Sequence, residues 1–338
     1  MITVKEIAEL AGVSRKTAER ALSGVTKDKR SDARKRAEKV REIAAAYGYQ
    51  PSEVALSLRR GSVRTIGFMV DILTDQFLAA AAETAIDEAD RHGFKVALQV
   101  VKFSPELTGE VFKNFQASGM DAVITSCTSS QLPPELMANC VQRKYPVLTL
   151  CGRSEYDLSS VSVDYSIALP EAVAHLAKRG HEKITLALYK GKNADNERTK
   201  QVFLQSCEKC GVTADFRIHS EKMQAVALVG EKLPAVILYG KYSMRVYMDA
   251  CMEQGFQPDV IGFYNEWTLA AAQNFNLCGI ILEDAESSVR QAVRQVLDEC
   301  GGGGRKHLDI PARFVTEKEF HALKVANLAN QYLFEQEQ

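Results

Sequence analysis

Residues 11–22 read Ala-Gly-Val-Ser-Arg-Lys-Thr-Ala-Glu-Arg-Ala-Leu, which predicts a tight turn followed by a short helix that begins with cationic side chains. Upstream, Thr3 and Glu6 have the T-x-x-E spacing of a capping box, which predicts the start of a first helix. Gly12 suits a turn position that needs a positive φ, and Ser14 can cap the second helix. Two helices joined in this way form a helix-turn-helix, whose second helix presents its first residues to the major groove of DNA. The alternative is an ordinary pair of amphipathic surface helices.

The charge is divided unevenly along the chain. Residues 1–64 carry 15 Lys and Arg against 8 Asp and Glu, a net charge of +7, whereas residues 65–338 carry a net charge of −8. A basic head suits phosphate binding, because each neutralised phosphate releases counterions. Solvated charge runs are common on protein surfaces, but here the excess coincides with the predicted helix-turn-helix.

Length and composition predict a cytoplasmic protein of two or three folding units, and DNA binding would place it at the nucleoid. The chain has 338 residues, no apolar run near the ~20 residues that span a bilayer, and no signal-peptide pattern at its start. Its eight cysteines are scattered among apolar segments, which suits a reducing compartment. Cys207 and Cys210 form a single C-x-x-C that has no second ligand pair, so we expect neither a metal nor a cofactor.

A third helix is expected to follow the recognition helix and to end before a break in the chain. It begins at Ser31 or Asp32 and ends at Gly48, which has the C-cap position. Gly48-Tyr49-Gln50-Pro51 interrupts the chain, and a short segment, 53–60, follows. That segment is too short to be a stable helix alone, so it is expected to fold against DNA or a partner copy.

From Arg64 the pattern changes to alternating strands and helices, which predicts parallel sheets covered on both faces. Such sheets bind ligands beyond the carboxyl ends of their strands. The predicted strands are 65–70, 94–101, 122–125, 146–150, 184–188, 235–239 and 260–263, and the predicted helices are 77–92, 167–179, 196–210, 243–254 and 287–300.

Enzymatic activity is not expected. No G-x-G-x-x-G follows a strand, and neither H-E-x-x-H nor G-x-S-x-G occurs. Gly191-Lys192-Asn193 lacks the spacing and the hydroxyl residue of a P-loop, and Gly301 to Gly304 resembles a surface loop.

Motifs along essentially the whole chain resemble the lactose/galactose repressor (LacI/GalR) family. They are T-V-K-E-I-A-E-L-A-G-V-S-x-x-T-x-x-R-x-L-S in the head, Gly48-Tyr49-x-Pro51, Ala55-x-x-Leu58, Arg64-Thr65-Ile66-Gly67, V-S-V-D at 161–164, H-L-A-K-R-G-H-E-K-I at 175–184, Glu197-Arg198, V-I-G-F at 260–263 and P-A-R-F-V near the end. The resemblance implies an α plus α/β fold: a helix-turn-helix head over 1–50, a hinge helix and linker over 51–63, and a two-lobed, periplasmic-binding-protein-like body over 64–338 that binds an effector and dimerises.

By resemblance, the DNA-binding residues lie on the recognition helix and in the hinge. Arg15 and Lys16 occupy positions that vary with the operator, and their donors suit guanine O6 and N7, so we expect a G-containing half-site. Glu19 departs from the family pattern, and it either accepts from a cytosine amino group or pairs with Arg15 or Lys16 along the helix. The full set is Thr3, Ser14, Arg15, Lys16, Thr17, Glu19, Arg20, Ser23, Ser52, Ala55 and Leu58.

The hinge segment is expected to enter the minor groove at the operator centre. There Leu58 would wedge between base steps and bend the duplex, as apolar side chains of minor-groove proteins do. The alternative is that Leu58 packs on the head.

The effector residues implied by the resemblance face a cleft between the two lobes. Arg198 matches an arginine that the family places there, and its planar fork can hold hydroxyl or carboxylate oxygens. Lys241 and the pair Tyr264-Asn265 replace polar and acidic residues that sugar-binding members carry, so a sugar, a sugar phosphate or an acidic derivative are all candidate ligands; a degenerate pocket is the alternative. The full set is Asp71, Phe77, Arg153, Asp164, Arg198, Lys241, Tyr264 and Asn265.

The expected function is a transcriptional repressor that binds a palindromic double-stranded DNA operator as a homodimer under the control of a small-molecule effector, with no membrane partner. The rival reading is a solute-binding protein of the periplasmic type, which would have no use for a basic head. The tail after Phe320 has too few apolar heptad positions for a tetramerising coil, so a helix packed on the body and a dimer are expected.

Overall fold

The computed structural model describes residues 2–22, 31–50, 57, 58, 60–150, 152–189, 193–219, 230–272 and 275–323. The tail beyond residue 323 and most of the predicted hinge lie outside these residues. Two compact units are present, residues 1–64 and residues 65–338, and they are called the head and the body below.

The head consists of three described helices around a small apolar core. They are α1 (Val4–Ala11), α2 (Arg15–Leu22) and α3 (Ser31–Ala46). The predicted capping box is confirmed: Thr3 N–H donates to Glu6 Oε2 over 2.7 Å, and Glu6 N–H donates to Thr3 Oγ1. Gly12 has a φ of 69°, so the left-handed turn between α1 and α2 is one that a β-carbon would disfavour. The core is closed by buried Ile7, Ala18 and Val40, one from each helix.

The body alternates strands and helices along most of its length. Its first part contains β1 (Thr65–Val70), α4 (Gln76–Arg91), β2 (Lys95–Val100), α5 (Pro105–Ala117), β3 (Ala122–Thr125), α6 (Pro134–Arg143), β4 (Val147–Thr149) and β5 (Ser159–Asp164). Then follow α7 (Ala168–Lys178), β6 (Lys183–Tyr189), α8 (Asn193–Cys210), β7 (Thr213–His219), β8 (Ala235–Leu238), α9 (Lys241–Glu253), β9 (Asp259–Asn265) and α10 (Leu269–Ala272). Next come β10 (Gly279–Glu283), α11 (Ala285–Cys300), β11 (His307–Pro311) and β12 (Arg313–Thr316), and the described residues 317–323 after β12 are helical.

These strands form two six-stranded sheets, one in each lobe. Lobe 1 has the order β11-β5-β4-β3-β1-β2, and lobe 2 has the order β12-β10-β9-β8-β6-β7. The strand pairings are parallel except for β12, which runs antiparallel to β10. Buried apolar strands such as β1 and β8 suit sheets that are covered on both faces, as the sequence predicted.

The chain passes between the lobes beyond the carboxyl ends of three strands. It enters lobe 2 after β5, returns to lobe 1 after β10, and enters lobe 2 again between β11 and β12. Because parallel strands end at the same edge of a sheet, these passages gather the polar residues that follow the strands near the boundary of the lobes.

The strands and helices predicted in the body are present, with ends shifted by at most a few residues. Several other elements were not predicted, namely α5, α6, α10, β5, β7, β10, β11 and β12. In the described part of the chain, no helix is long and apolar enough to cross a membrane.

Candidate functional site

The exposed surface of α2 carries the candidate residues of the head. Ala18 and Ala21 face the core, and the opposite side of the helix is polar. Ser14 caps the helix, since Thr17 N–H donates to Ser14 Oγ over 3.2 Å, and the two hydroxyl groups are 2.8 Å apart. The exposed side chains are those of Ser14, Arg15, Lys16 and Arg20, whereas Thr17 and Glu19 are half-buried.

Glu19 is held by Arg15. Arg15 Nε donates to Glu19 Oε1 over 2.9 Å, one helical turn away. Of the two interpretations of Glu19, the structure therefore supports pairing along the helix. The Arg15 side chain remains 72% exposed, so this pair leaves its outer face open to solvent.

The hinge residues are described only in part. Leu58 is 80% exposed, so it does not pack on the head within the described residues. Ser23, Ser52 and Ala55 lie outside the described part of the chain.

In the body, four charged residues connect the two lobes at the strand ends. Asp309 on β11 of lobe 1 accepts from Arg153 Nη2 over 2.9 Å and from Arg198 Nη1 over 2.8 Å. Arg198, on α8 of lobe 2, also donates through Nη2 to Asp164 Oδ1 over 3.2 Å. The predicted residues Arg153, Asp164 and Arg198 therefore lie together.

Asp195 adds a second connection between the lobes. One turn before Arg198 on α8, it accepts from the backbone N–H of Arg153 over 3.0 Å and from Ser162 Oγ over 3.3 Å. Arg198 and Asp195 thus anchor the start of α8 to lobe 1, and they form one side of the candidate cleft.

Aromatic side chains of lobe 2 lie beside this ionic cluster. Tyr165 and Tyr239 pack against Phe263, with ring centroids 5.3 Å and 5.1 Å from it. Tyr165 Oη donates to Glu283 at the end of β10. Burial and the neighbouring Glu283 raise the pKa of Tyr165 well above its ordinary value, so the phenol stays protonated and acts as a donor.

A second aromatic pair connects the lobes at another point. Trp267, in the turn after β9, packs on the apolar core of lobe 1 and lies 5.7 Å from the ring of the predicted residue Phe77. Its neighbour Glu266 accepts from the backbone N–H groups of Ala285 and Glu286, at the start of α11. This turn of lobe 2 is therefore fastened to a helix of lobe 1.

Two other predicted residues, Asp71 and Asn265, are buried and hydrogen-bonded within the body. Asp71 is buried and accepts from Gln131 Nε2 over 2.7 Å and from the backbone N–H of Phe103 over 3.2 Å. Asn265 is buried and caps its own turn, since its Oδ1 accepts from the N–H groups of Trp267 and Thr268. For Lys241, the first residue of α9, no side-chain position is described.

Tyr264 requires a correction. Its side chain is 2% exposed and packs in the core of lobe 2 with Met244 and Tyr247, where its hydroxyl has no hydrogen-bond partner. The side chain turns inward because the residue is large and mostly apolar, and the core offers it more contact than the cleft. The prediction that Tyr264 contacts an effector is therefore wrong.

Several residues of the cleft were missed from the sequence. Asp195 could have been found from the sequence, because it lies directly before the predicted helix 196–210 and three residues before Arg198, a spacing that places both on one helix face. Trp267 could also have been found, because it is the single tryptophan of the chain and lies near the end of a predicted strand. No sequence signal pointed to Asp309, since it belongs to a short strand that joins the sheet of lobe 1 from far along the chain. Among the described residues, no group of His, Cys, Asp or Glu could hold a metal ion.

Comparisons with known proteins agree with this arrangement. Residues 63–229 match the family model described as periplasmic binding proteins and sugar binding domain of the LacI family. The HTH-type transcriptional regulator PtxS of Pseudomonas putida is 25% identical over 60% of this chain and 58% of its own length. The ribitol operon repressor of Klebsiella aerogenes is 29% identical over 57% of this chain and 72% of its own length. The chain spans between half and three fifths of the length of the first curated relatives it matches.

Solved structures show the same fold. The Lac repressor dimer bound to operator and an anti-inducer superposes with a TM-score of 0.76 at 20% identity, covering 94% of this chain and 99% of that one. A Cra regulator of Pseudomonas putida in complex with fructose 1-phosphate gives 0.63 at 16% identity, over 75% of this chain and 98% of that one. The family model, the named relatives and the two-lobed fold together support the resemblance of this chain to the LacI/GalR family.

Proposed function

We propose that this protein is a sequence-specific DNA-binding transcriptional regulator, a repressor that binds a palindromic operator as a homodimer. The observation that carries the proposal is the division of α2 into a buried side of alanines and an exposed side that begins with a capping serine and two cationic residues. A recognition helix needs both features: the buried side fixes its orientation, and the exposed start reaches base edges.

The proposed domain boundaries follow from the sequence. Residues 1–50 form the helix-turn-helix head, 51–63 the hinge, and 64–338 the effector-binding and dimerising body. Such a regulator would work in the cytoplasm, at the nucleoid. The names of the relatives favour this function, since PtxS is a transcriptional regulator, the Klebsiella protein is an operon repressor, and the Lac repressor was seen as a dimer on its operator.

The cleft is the proposed effector site. Arg153, Asp164 and Arg198 meet there at the boundary of the lobes, with Phe77 and Trp267 at a second contact between them. A ligand that prefers one arrangement of the lobes shifts the affinity for DNA by the ratio of its affinities for the two arrangements. We propose that the ligand is an inducer, so that its binding lowers the affinity for DNA.

A solute-binding protein is the second candidate, because the Caulobacter myo-inositol binding protein has the same fold, with a TM-score of 0.64 at 16% identity. The basic head distinguishes the two functions, since a solute-binding protein has no role for it. The body alone would be compatible with either of these two functions.

The test is selection of bound duplexes from a random DNA pool by the full-length protein. We expect enrichment of a palindrome whose half-sites contain guanine opposite Arg15 and Lys16. No enrichment, or a site without two-fold symmetry, would refute the proposal.

The variant Leu58→Ser extends this test to the operator centre. Because Leu58 is exposed, the change should leave the head folded and weaken binding to the selected duplex far more than binding to scrambled DNA. Equal losses on both duplexes would exclude a role for Leu58 as a wedge.

A further inference from the structure

Asp309 forms ion pairs with both arginine side chains of the proposed effector cleft, Arg153 and Arg198. One carboxylate oxygen accepts from Arg153 Nη2 over 2.9 Å, and the other accepts from Arg198 Nη1 over 2.8 Å. The side chains of Arg153 and Arg198 are each 39% exposed and that of Asp309 is 30% exposed, so a ligand in the cleft can reach all three. An incoming anion would therefore compete with a carboxylate that is already bound.

The charged side chains described around this contact carry no net positive charge. Among the described side chains of the ionic cluster, two arginines meet three carboxylates, those of Asp164, Asp195 and Asp309. Glu283 adds a further carboxylate to the aromatic wall beside the cluster. A phosphate or carboxylate group would bring more negative charge into a site that has no unbalanced cation among these residues.

The position of Asp309 is fixed by the sheet. It lies on β11, in register with Ser162 of β5, and Ser162 Oγ donates to Asp195. Because a strand within a sheet cannot swing away as a loop can, Asp309 can leave the two guanidinium groups only by changing its own rotamer. The ion pairs are therefore a built feature of the ligand site.

We infer that Asp309 determines the charge of the ligand: it neutralises Arg153 and Arg198, so the cleft selects a neutral polyhydroxy compound over a phosphorylated or carboxylated one. Hydroxyl groups can donate to the carboxylates and accept from the arginines without breaking an ion pair, whereas an anion must displace Asp309. The inference rests on the proposed role of the cleft as effector site, and it narrows the three ligand classes that the sequence left open.

The test is the affinity of the full-length protein for inorganic phosphate, measured by calorimetry at low ionic strength without DNA. Replacing Asp309 by asparagine removes one negative charge and leaves two guanidinium groups for the probe. We expect Asp309→Asn to bind phosphate at least about tenfold more tightly than the unmodified protein. Asp309→Glu keeps the charge and should bind phosphate as weakly as the unmodified protein.

Two further variants locate the effect. Asp157→Asn is the matched control, because Asp157 accepts from Arg305 over 2.9 Å outside the cleft, and it should gain no phosphate affinity. The double variant Asp309→Asn with Arg198→Met should lose the gain. Thermal unfolding confirms that each variant is folded, and Asp309→Ser offers a second uncharged side chain if asparagine is not tolerated.

The inference is overturned if the folded, uncharged variants bind phosphate no better than the unmodified protein, or if the gain survives Arg198→Met. Tight phosphate binding by the unmodified protein would also overturn it. None of these outcomes affects the selection of DNA, and a failure of DNA selection would overturn the proposed function while leaving the phosphate result intact.

Discussion

Glu88 is the most enclosed charge in the described body, and its partners explain how a carboxylate can be buried there. It lies on α4 and is 1% exposed. Arg294 Nε and Arg290 Nη1, both on α11, donate to it over 2.6 Å and 2.9 Å. Arg91 and His92 contact it from its own helix. A buried ion is tolerated only when its oxygens are satisfied in this way, so Glu88 ties α4 to α11.

The pKa of Glu88 gives this contact a dependence on pH. Burial acts to raise the pKa, but the hydrogen bonds from Arg294, Arg290 and His92 outweigh it and lower the pKa from 4.5 to about 2. A carboxyl whose pKa is lowered in the folded state contributes its full stability above its unfolded pKa. That contribution is lost as the pH falls from about 4.5 toward 2.

We therefore predict that Glu88→Gln lowers the free energy of unfolding of the body by about 2 kcal/mol at pH 7. The difference from the unmodified protein should stay constant down to about pH 5 and shrink as the pH is lowered further to about 3, because the unmodified protein then loses the ionic contribution that the variant lacks. Urea unfolding followed by the fluorescence of Trp267, the single tryptophan, measures both values.

Asp298→Asn is the control for this prediction. Its pair with Lys306 is about half exposed on both sides, so the change should cost no more than about 0.5 kcal/mol. A constant difference between Glu88→Gln and the unmodified protein at both pH values would mean that the carboxylate is not the source of the stability.

Individual residues show which parts of the site could be predicted from the sequence and which could not. Arg198 and Asp164 were found because they match a family motif at a strand end or on a helix face. Tyr264 was misplaced, because a position relative to a strand end does not say whether a large side chain turns into the cleft or into the core. Asp309 could not be found, because its proximity to Arg198 arises from the pairing of β11 with β5 and not from any local pattern.

At the scale of elements, Gly67 on β1 marks a close approach between a strand and a helix. A β-carbon at this position would come within 2.6 Å of Cε2 of Phe115, which lies on α5 and is itself buried. Because β1 has no side chain at this position, the ring of Phe115 can pack directly against the strand.

We predict that Gly67→Ala destabilises the body by about 2 kcal/mol, because the ring of Phe115 or the strand must shift in a packed core. The matched control is Gly304→Ala, where a β-carbon would meet nothing within 4 Å. Thermal unfolding of the two variants measures the difference. Equal melting temperatures would show that α5 can move away from β1 at little cost.

The elements that the sequence predicted and those that it missed differ in their burial. Strands such as β1 and β8 are apolar, apart from Thr65 at the start of β1, and are bounded by turns, so they were recognised. Edge strands β7, β11 and β12 carry charged residues between apolar ones and were missed, because half-exposed short strands have no strong periodicity. The partners of β11 and β12, in different lobes, follow from the three-dimensional path of the chain and not from local sequence.

At the scale of the whole molecule, the division of charge separates two tasks. The head carries the positive excess and the body the negative one. An acidic body repels the DNA backbone, so only the heads are expected to approach it. The salt dependence of operator binding should therefore come from head residues alone.

This separation predicts a difference between two lysine variants. For the selected operator, the logarithm of the binding constant should fall linearly with the logarithm of salt concentration. Lys16→Met should make the slope shallower by about 1 for each head, because one cation near the DNA is removed. Lys318→Met, which changes an exposed lysine of the body, should leave the slope unchanged although it removes the same charge.

Filter binding from 50 to 200 mM salt, roughly the range over which counterion release dominates, gives both slopes. If the two variants change the slope equally, the body contributes to the contact with DNA, and the assignment of DNA binding to the head alone is wrong.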